Sequence, residues 1–464
     1  MSAVSIKEKL GYASGDLASN LFWQTFMFFL PIFYSDVFGL PLVQIALLFS
    51  VSRIWDAFND PIMGIIADRT NSRWGKFRPY LLWGAIPFGI IGVLTFSTPD
   101  LSPTGKIVYA WITYSLMMMI YTLVNIPYSA LMGVLTNDEK ARNSISSYRF
   151  VFAFGAGLIV TGLNDYLVEF LGQGNDAMGY KLTVLVYAVL AVMLFYFTFF
   201  TTKERVKPIV AERSNVLDDL KDLSKNRPWL LLLFAGLFTI FYVSIRNGAI
   251  AYYFKYYVEI KSVMWWGMEI KLAPAFMVLG SLAGIVGIFL FKGLTDRLGK
   301  RKTYLWLMGL SSFFTMSFYF FSGEQIALIF IGQLLASLFM GPTSPIVWAM
   351  YADIADYSEW KTGRRATGLI FSASTFSQKF GWSLAGVVSM SLLAYFGYEA
   401  NTEQSPESME GIKLLISIIP AIGSIACVLL VWLYKVDEKT MAKVQQDLRE
   451  RKTKKGAEVE GVMS

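Results

Sequence analysis

The sequence predicts an all-α membrane protein of twelve transmembrane helices, arranged as two six-helix bundles with both termini in the cytoplasm. Three observations predict it. The chain of 464 residues is 55% hydrophobic and only 16% charged, with a mean hydropathy of +0.48; an ordinary soluble domain carries about 25% charged residues. Apolar runs long enough to cross a bilayer recur along the whole chain. A basic middle loop divides those runs into six and six, and an Asp-Arg turn appears in both halves.

The spans follow in order, at roughly 9–36, 41–67, 79–97, 106–133, 146–171 and 180–201, then 229–257, 271–294, 303–322, 325–352, 367–397 and 411–434. The start, "MSAVSIKEKLGYASGD", has no cleavage pattern, so the first apolar segment is expected to remain as a helix. The second span ends on "ADRTNSRWGKFRP" and the eighth on "TDRLGKRKTY". Each reads Asp-Arg, a short gap, Gly-Lys and further base, which suits a tight connection between helices. The expected organisation is 1–201 as one bundle, 202–228 as a middle loop, 229–434 as a second bundle and 435–464 as a basic tail.

Lys and Arg fix the orientation. One set of loops carries Arg69, Arg73, Lys76 and Arg78, Lys140 and Arg142, seven bases in the middle loop, Arg297 to Lys302, and Lys361, Arg364 and Arg365. The opposite loops carry only Lys106, Lys181, Lys255, Lys261, Lys271 and Lys413, a bias of about three to one. The basic set, the middle loop and both termini are therefore assigned to the cytoplasm. The +7 net charge follows from this asymmetry and is no sign of nucleic acid. The tail reads as a solvated, partly helical or disordered end.

The single Cys427 allows no internal disulfide, and the absence of histidine removes any imidazole relay. No phosphate-binding G-x-x-x-x-G-K-[ST] loop occurs, so an ion gradient is the expected energy source. Two aspartates on one helix turn, without nucleophile or histidine beside them, argue against an enzyme. No cofactor is expected. An absent signal peptide and absent disulfides fit a bacterial inner membrane.

The informative charges are those inside spans, where each costs a few kcal/mol and usually faces a cavity. They are Asp16, Arg53, Asp56, Asp60, Arg149, Arg246 and Lys379. "RIWDAFNDPIMG" places Asp56 and Asp60 four apart, on one helical face. With Asn59 and a hydroxyl such as Thr122 they form a hard-oxygen set suited to Na+, or, with one carboxylate protonated, to H+. Pro61 has no N–H and frees the carbonyl of Ala57 nearby. A salt bridge of Arg53 with Asp56 is the structural alternative.

"RIWDAFNDPIMGIIADRTNSRWGKFRPYLLWG", together with "GDLASN", "YTLVNIPYSAL", "YADIADYSEWKTGRR" and "FSQKFG", resembles the glycoside–pentoside–hexuronide:cation symporters, the melibiose permease group of the major facilitator superfamily. The resemblance covers nearly the whole chain. It implies the major facilitator fold and a sugar symporter. It implies a cation site at Asp56, Asn59, Asp60 and Thr122, sugar contacts at Asp16 and Arg149, and a coupling role for Lys379. Asn125 and Ser129 stand where the melibiose permease pattern has an aspartate and a stacking tryptophan, so the sugar pocket is expected to differ.

A carboxylate accepts hydrogen bonds from vicinal hydroxyls, and a guanidinium donates a fork of them. The substrate-binding candidates are Asp16, Trp23, Asn125, Arg149, Arg246, Trp348, Thr375 and Lys379, with Tyr121, Tyr128 and Trp382 as further stacking rings. Arg246 with Arg149 and Lys379 sets three bases against Asp16, Asp56 and Asp60, a balance that could hold an acidic sugar; the alternative is that each base pairs with a helix carbonyl or with one of these acids. Arg297, Asp353, Asp356, Glu359 and Arg364 are expected to form gating salt bridges at the cytoplasmic end. The expected function is Na+- or H+-coupled import of a sugar, glycoside or uronide across the lipid bilayer by a monomer; the alternative is a cation-coupled lysolipid carrier of the same fold.

Overall fold

The computed structural model describes residues 4–136, 139–205, 224–362, 367–448 and 450, and these are almost wholly helical. The helices are α1 (Ile6–Phe28), α2 (Leu42–Arg69), α3 (Arg78–Thr95), α4 (Pro103–Leu135), α5 (Glu139–Gly172), α6 (Asp176–Thr201), α7 (Arg227–Tyr252), α8 (Leu272–Leu290), the short α9 (Lys292–Leu298), α10 (Lys300–Ser317), α11 (Ile326–Met340), α12 (Thr343–Thr362), α13 (Thr367–Tyr395), α14 (Pro406–Ile416) and α15 (Ile418–Leu433). Local chemistry starts several of them. Ser5, Ser102 and Asn175 accept from the backbone N–H groups of Glu8, Gly105 and Met178, and Pro103 occupies the first turn of α4.

Among the described residues, eight helices are long and apolar enough to cross a membrane. They are 78–95, 103–135, 144–172, 176–201, 227–257, 272–290, 326–361 and 406–433. Four more helices reach 18 residues or longer, namely α1, α2, α10 and α13, and are more polar. For three of them the polarity is that of the candidate site: α1 carries Asp16, α2 carries Asp56 and Asp60, and α13 carries Lys379.

Two compact units make up the chain. The first comprises 1–210, 247–278 and 386–412; the second comprises 211–246, 279–385 and 413–464. In the first, Asp-Arg closes α2, and Gly75 then turns the chain at φ +111°. The Glu204 carboxylate, just past α6, accepts from the backbone N–H groups of Lys76, Phe77 and Arg78 at 2.8, 2.8 and 3.0 Å. Arg78 Nη2 donates to the Phe199 carbonyl at 2.6 Å. The second unit repeats the arrangement. Gly299 turns at φ +84°, Glu438 accepts from Lys300 N–H at 2.6 Å, and Arg301 Nη2 donates to the Trp432 carbonyl at 2.6 Å. The sequence echo "WGKFR" and "LGKRK" is thus an echo of hydrogen bonding.

Small residues bring helices close within each unit. A Cβ on Gly287 would lie 2.0 Å from the Leu338 carbonyl oxygen, and one on Gly341 would lie 2.1 Å from that of Gly284. Backbone contact through glycine replaces the hydrophobic effect that lipid removes. Large apolar side chains point outward instead, as Phe170, Phe200 and Phe289 do.

Two features depart from the sequence reading. The link between α7 and α8 holds a two-stranded antiparallel hairpin, β1 (Ser262–Trp265) and β2 (Met268–Lys271), with Ser262 opposite Lys271. Its turn, Trp266-Gly267, has positive φ at both residues, the geometry that two-residue hairpin loops require. The beginning of the tail is helical, in line with the partly helical reading, but it packs into the second unit instead of lying in solvent. A helix over 438–448 follows Asp437, whose side chain accepts from Thr440 N–H at 2.9 Å. Met441, Val444 and Leu448 are buried in the second unit's core, and Trp360 Nε1 donates to Asp447 at 2.8 Å. Their i, i+3, i+7 spacing explains why this stretch packs rather than solvates.

Candidate functional site

The cation candidates lie on α2 and α4 of the first unit. Helix α2 runs unbroken through Pro61, leaving the Ala57 carbonyl without the usual N–H donor one turn on. Asp56 is 4% exposed and Thr122 is 5% exposed. The Thr122 hydroxyl donates to Asp60 Oδ1 at 3.0 Å, tying two residues 62 apart in sequence. The Asn59 amide nitrogen is buried and makes no hydrogen bond among the described residues. The Thr122–Asp60 hydrogen bond joins α2 to α4 here, with Asp56 and Asn59 on the same stretch of α2. The Arg53 side chain lies outside the described residues, and so does its alternative pairing with Asp56.

A second polar group joins α1, α4 and α5 in the same unit. Arg149 Nε donates to Asp16 Oδ1 at 2.9 Å, with the aspartate almost wholly buried. Asn20, one turn along α1, donates from Nδ2 to the Asp16 carbonyl at 2.8 Å and to its Oδ2 at 3.3 Å. Trp23, a further turn on, lies 5.4 Å from the Tyr121 ring. Asn125 Nδ2 donates to the Tyr121 carbonyl at 3.0 Å. Asp16, Asn20 and Trp23 follow the i, i+4, i+7 stripe of one helical face.

Tyr128 has a different place from that of a sugar platform. It is wholly buried, stacked on Tyr12 with centroids 4.6 Å apart, and the two hydroxyls donate reciprocally to each other's backbone carbonyls, at 2.8 and 3.3 Å. The Arg149 guanidinium lies over the Tyr128 ring at 5.5 Å. Tyr128 therefore seats the arginine. Asn20 and Tyr12 are not singled out by sequence, because an amide or a phenol in a span costs little and raises no flag.

In the second unit, Arg246 is 6% exposed, with its guanidinium 5.0 Å from the Phe318 ring. Trp348 meets Tyr351 edge-on at 5.8 Å and keeps a partly exposed face. Thr375 and the half-buried Lys379 are one turn apart on α13. Among the gating candidates, Asp353 accepts Lys300 Nζ at 2.7 and 2.6 Å. Asp356 and Glu359 follow it on α12, Arg297 is exposed at the end of α9, and Arg364 lies outside the described residues.

The family described as MFS/sugar transport protein matches residues 11–438. The chain belongs to that family. Among curated relatives, the family member is 38% identical over 460 residues to the "Putative glycoside/cation symporter YagG" of Escherichia coli K12, covering 99% of this chain and 98% of that one. It is 33% identical over 457 residues to the "Isoprimeverose transporter" of Lactiplantibacillus pentosus, covering 97% of this chain and 92% of the relative. Among solved structures, the nucleoside transporter NupG matches with a TM-score of 0.59 at 14% identity, covering 92% of this chain and 100% of that one. The protein is thus a multi-pass transporter of the bacterial inner membrane with the all-α major facilitator fold.

Proposed function

We propose that this transporter imports a sugar or glycoside by cation-coupled symport and alternating access. The observation that carries the proposal is the pairing of two polar groups inside one membrane unit: Asp60 held by Thr122 on α2 and α4, and Asp16 held by Arg149 on α1 and α5. Buried carboxylates in spans mark ion and substrate paths. Na+ or H+ is the co-substrate at Asp56, Asn59, Asp60 and Thr122. The sugar's hydroxyls are read by Asp16 and Arg149, with Trp23 against the pyranose face and Asn125, Arg246, Trp348, Thr375 and Lys379 completing the contacts. The relatives named for a glycoside and for isoprimeverose support this substrate class.

The reading includes twelve spans, with α1, α2, α10 and α13 added to the eight apolar ones, in the two halves 1–201 and 229–434. Both termini, the 202–228 loop and the tail face the cytoplasm, and the carrier works as a monomer. Arg297, Asp353, Asp356, Glu359 and Arg364 gate the cytoplasmic end. One observation favours an acidic sugar over a neutral one: Arg246 buries a second guanidinium in the membrane, beside Phe318.

Uptake into proteoliposomes tests both points. Neutral disaccharides, pentosides, uronides and lysolipids are compared with and without an inward Na+ or proton gradient. Gradient-driven uptake of a sugar supports the reading, and competition by a uronide supports the acidic variant. Movement of lysolipid with no sugar would overturn it.

A further inference from the structure

A third polar cluster lies away from both of these sites, at the far ends of the first and seventh spans. Helix α1 continues through a short turn, Leu30–Ile32, into a π-helical turn, Phe33–Val37. Helix α7 ends in a π-helical turn of equal length, Tyr253–Tyr257. Single π turns are uncommon and concentrate at functional sites. Here one stands at the end of the first helix of each half of the chain.

Asp36 sits on the first of these turns with its side chain only 1% exposed. Its Oδ1 accepts from the Ser35 hydroxyl at 2.6 Å and from the Tyr398 hydroxyl at 2.5 Å. Its Oδ2 accepts from Lys255 Nζ at 2.6 Å and from the Tyr256 hydroxyl, both on the second π turn. Asn401, in the link between α13 and α14, adds a donor to the Asp36 carbonyl at 2.5 Å and accepts Lys255 Nζ at 2.7 Å. Tyr252 completes the ring through Ser35 at 2.9 Å. One buried carboxylate thus fastens three chain segments, 33–37, 252–257 and 398–401, all within the first compact unit. Burial beside Asp36 also raises the Tyr398 phenol well above its ordinary value, so it stays a donor.

The chemistry suits a two-state fastening. A carboxylate out of water is tolerable only while its donors are all present, and losing one partner leaves a costly buried charge. Such a group favours a fully closed arrangement, or one open enough for water to reach it, over anything between. By the Lys and Arg asymmetry, the ends of spans one, seven and eleven lie opposite the basic loops. We propose that Asp36, with Lys255, Tyr256 and Tyr398, is the extracytoplasmic latch of the transport cycle, closed in this structure, and that it must part to admit sugar from outside. The proposal rests on the alternating-access reading and on its membrane orientation.

Labelling from a defined side tests the latch without requiring a known substrate. In a Cys427→Ala background, a cysteine replaces Ile32, which is buried one turn before Asp36. A membrane-impermeant maleimide is applied to right-side-out and inside-out vesicles. Asp36→Asn and, independently, Lys255→Met raise the labelling rate from the outer face by roughly tenfold, the shift expected when a minor open state gains population. With the transported sugar in hand, the same variants lower the KM for outside sugar while slowing turnover, because the closed state is needed to complete the cycle. Unchanged outer-face labelling in both variants overturns the latch. A rise confined to inside-out vesicles overturns its outer placement and so the proposal, while sugar uptake by the unmutated protein is unaffected by either result.

Discussion

Replacing Asp16 by asparagine probes the proposed sugar site most sharply. The change keeps the size of the side chain and removes its charge. It takes the ionic acceptor from Arg149 Nε at 2.9 Å and weakens the contact from Asn20 at 3.3 Å. In the proposed site a sugar hydroxyl donates to the Asp16 carboxylate, and a hydrogen bond to a charged partner is worth about 1.5–3 kcal/mol. The Arg149 side chain is 32% exposed, and solvent lessens the loss, so the lower end applies. A deficit of ~1.5–2 kcal/mol raises the sugar Kd by about 10–30-fold. The assay is titration of purified transporter with its sugar by calorimetry, at saturating coupling ion, with thermal unfolding as the control. Arg149→Lys serves as a companion, since it keeps the charge and loses the planar fork. A Kd for Asp16→Asn within about threefold of the parent, in a folded protein, would refute the reasoning, because loss of a charged acceptor for the sugar hydroxyl gives a larger shift.

Two further outcomes follow from other contacts. Thr122→Val removes the hydroxyl that donates to Asp60 Oδ1 at 3.0 Å and should weaken coupling-ion affinity by about tenfold, leaving ion-free sugar binding unchanged; the ion dependence of sugar affinity measures it, and an unaltered dependence would count against the cation seat. Hydrogen bonds from the Thr440 hydroxyl and N–H hold Asp437 below the ordinary carboxylate range. A group depressed in the fold stabilises it above the unfolded value and loses that contribution as pH falls through the folded one. Asp437→Ala should therefore loosen the 438–448 helix by about 1 kcal/mol at neutral pH and much less in acid, read by hydrogen exchange over that segment. Equal protection in mutant and parent at neutral pH would contradict the capping role.

The charges inside spans are legible from sequence because each is expensive there, and Asp56, Asp60, Asp16, Arg149 and Arg246 all announce themselves in this way. Spacing also puts Asp56 and Asp60 on one face of α2. It cannot show that Thr122 on α4 reaches Asp60, which takes tertiary packing. Tyr128 illustrates the limit for aromatic rings. Its place in "NIPYSAL" does not tell whether the ring faces a cavity or a neighbouring helix, and the answer is the Tyr12 ring at 4.6 Å. Asp36 gives no signal in sequence because a carboxylate at the edge of an apolar run looks solvated. Its burial comes from π turns and a distant loop that no periodicity reports. Charge alone makes the tail look solvated, while the apolar stripe Met441, Val444 and Leu448 decides how its first part packs.

The central claim is coupled movement of sugar and cation through a seat at Asp60. Its most direct measurement is sugar-driven ion uptake in proteoliposomes, with protein carrying Asp60 or Asp60→Asn, in sodium and in sodium-free buffer. Sugar should drive Na+ or H+ inward with the parent protein, and the variant should still bind sugar while driving neither ion. Sugar-driven ion flux of parental size through Asp60→Asn would contradict the claim.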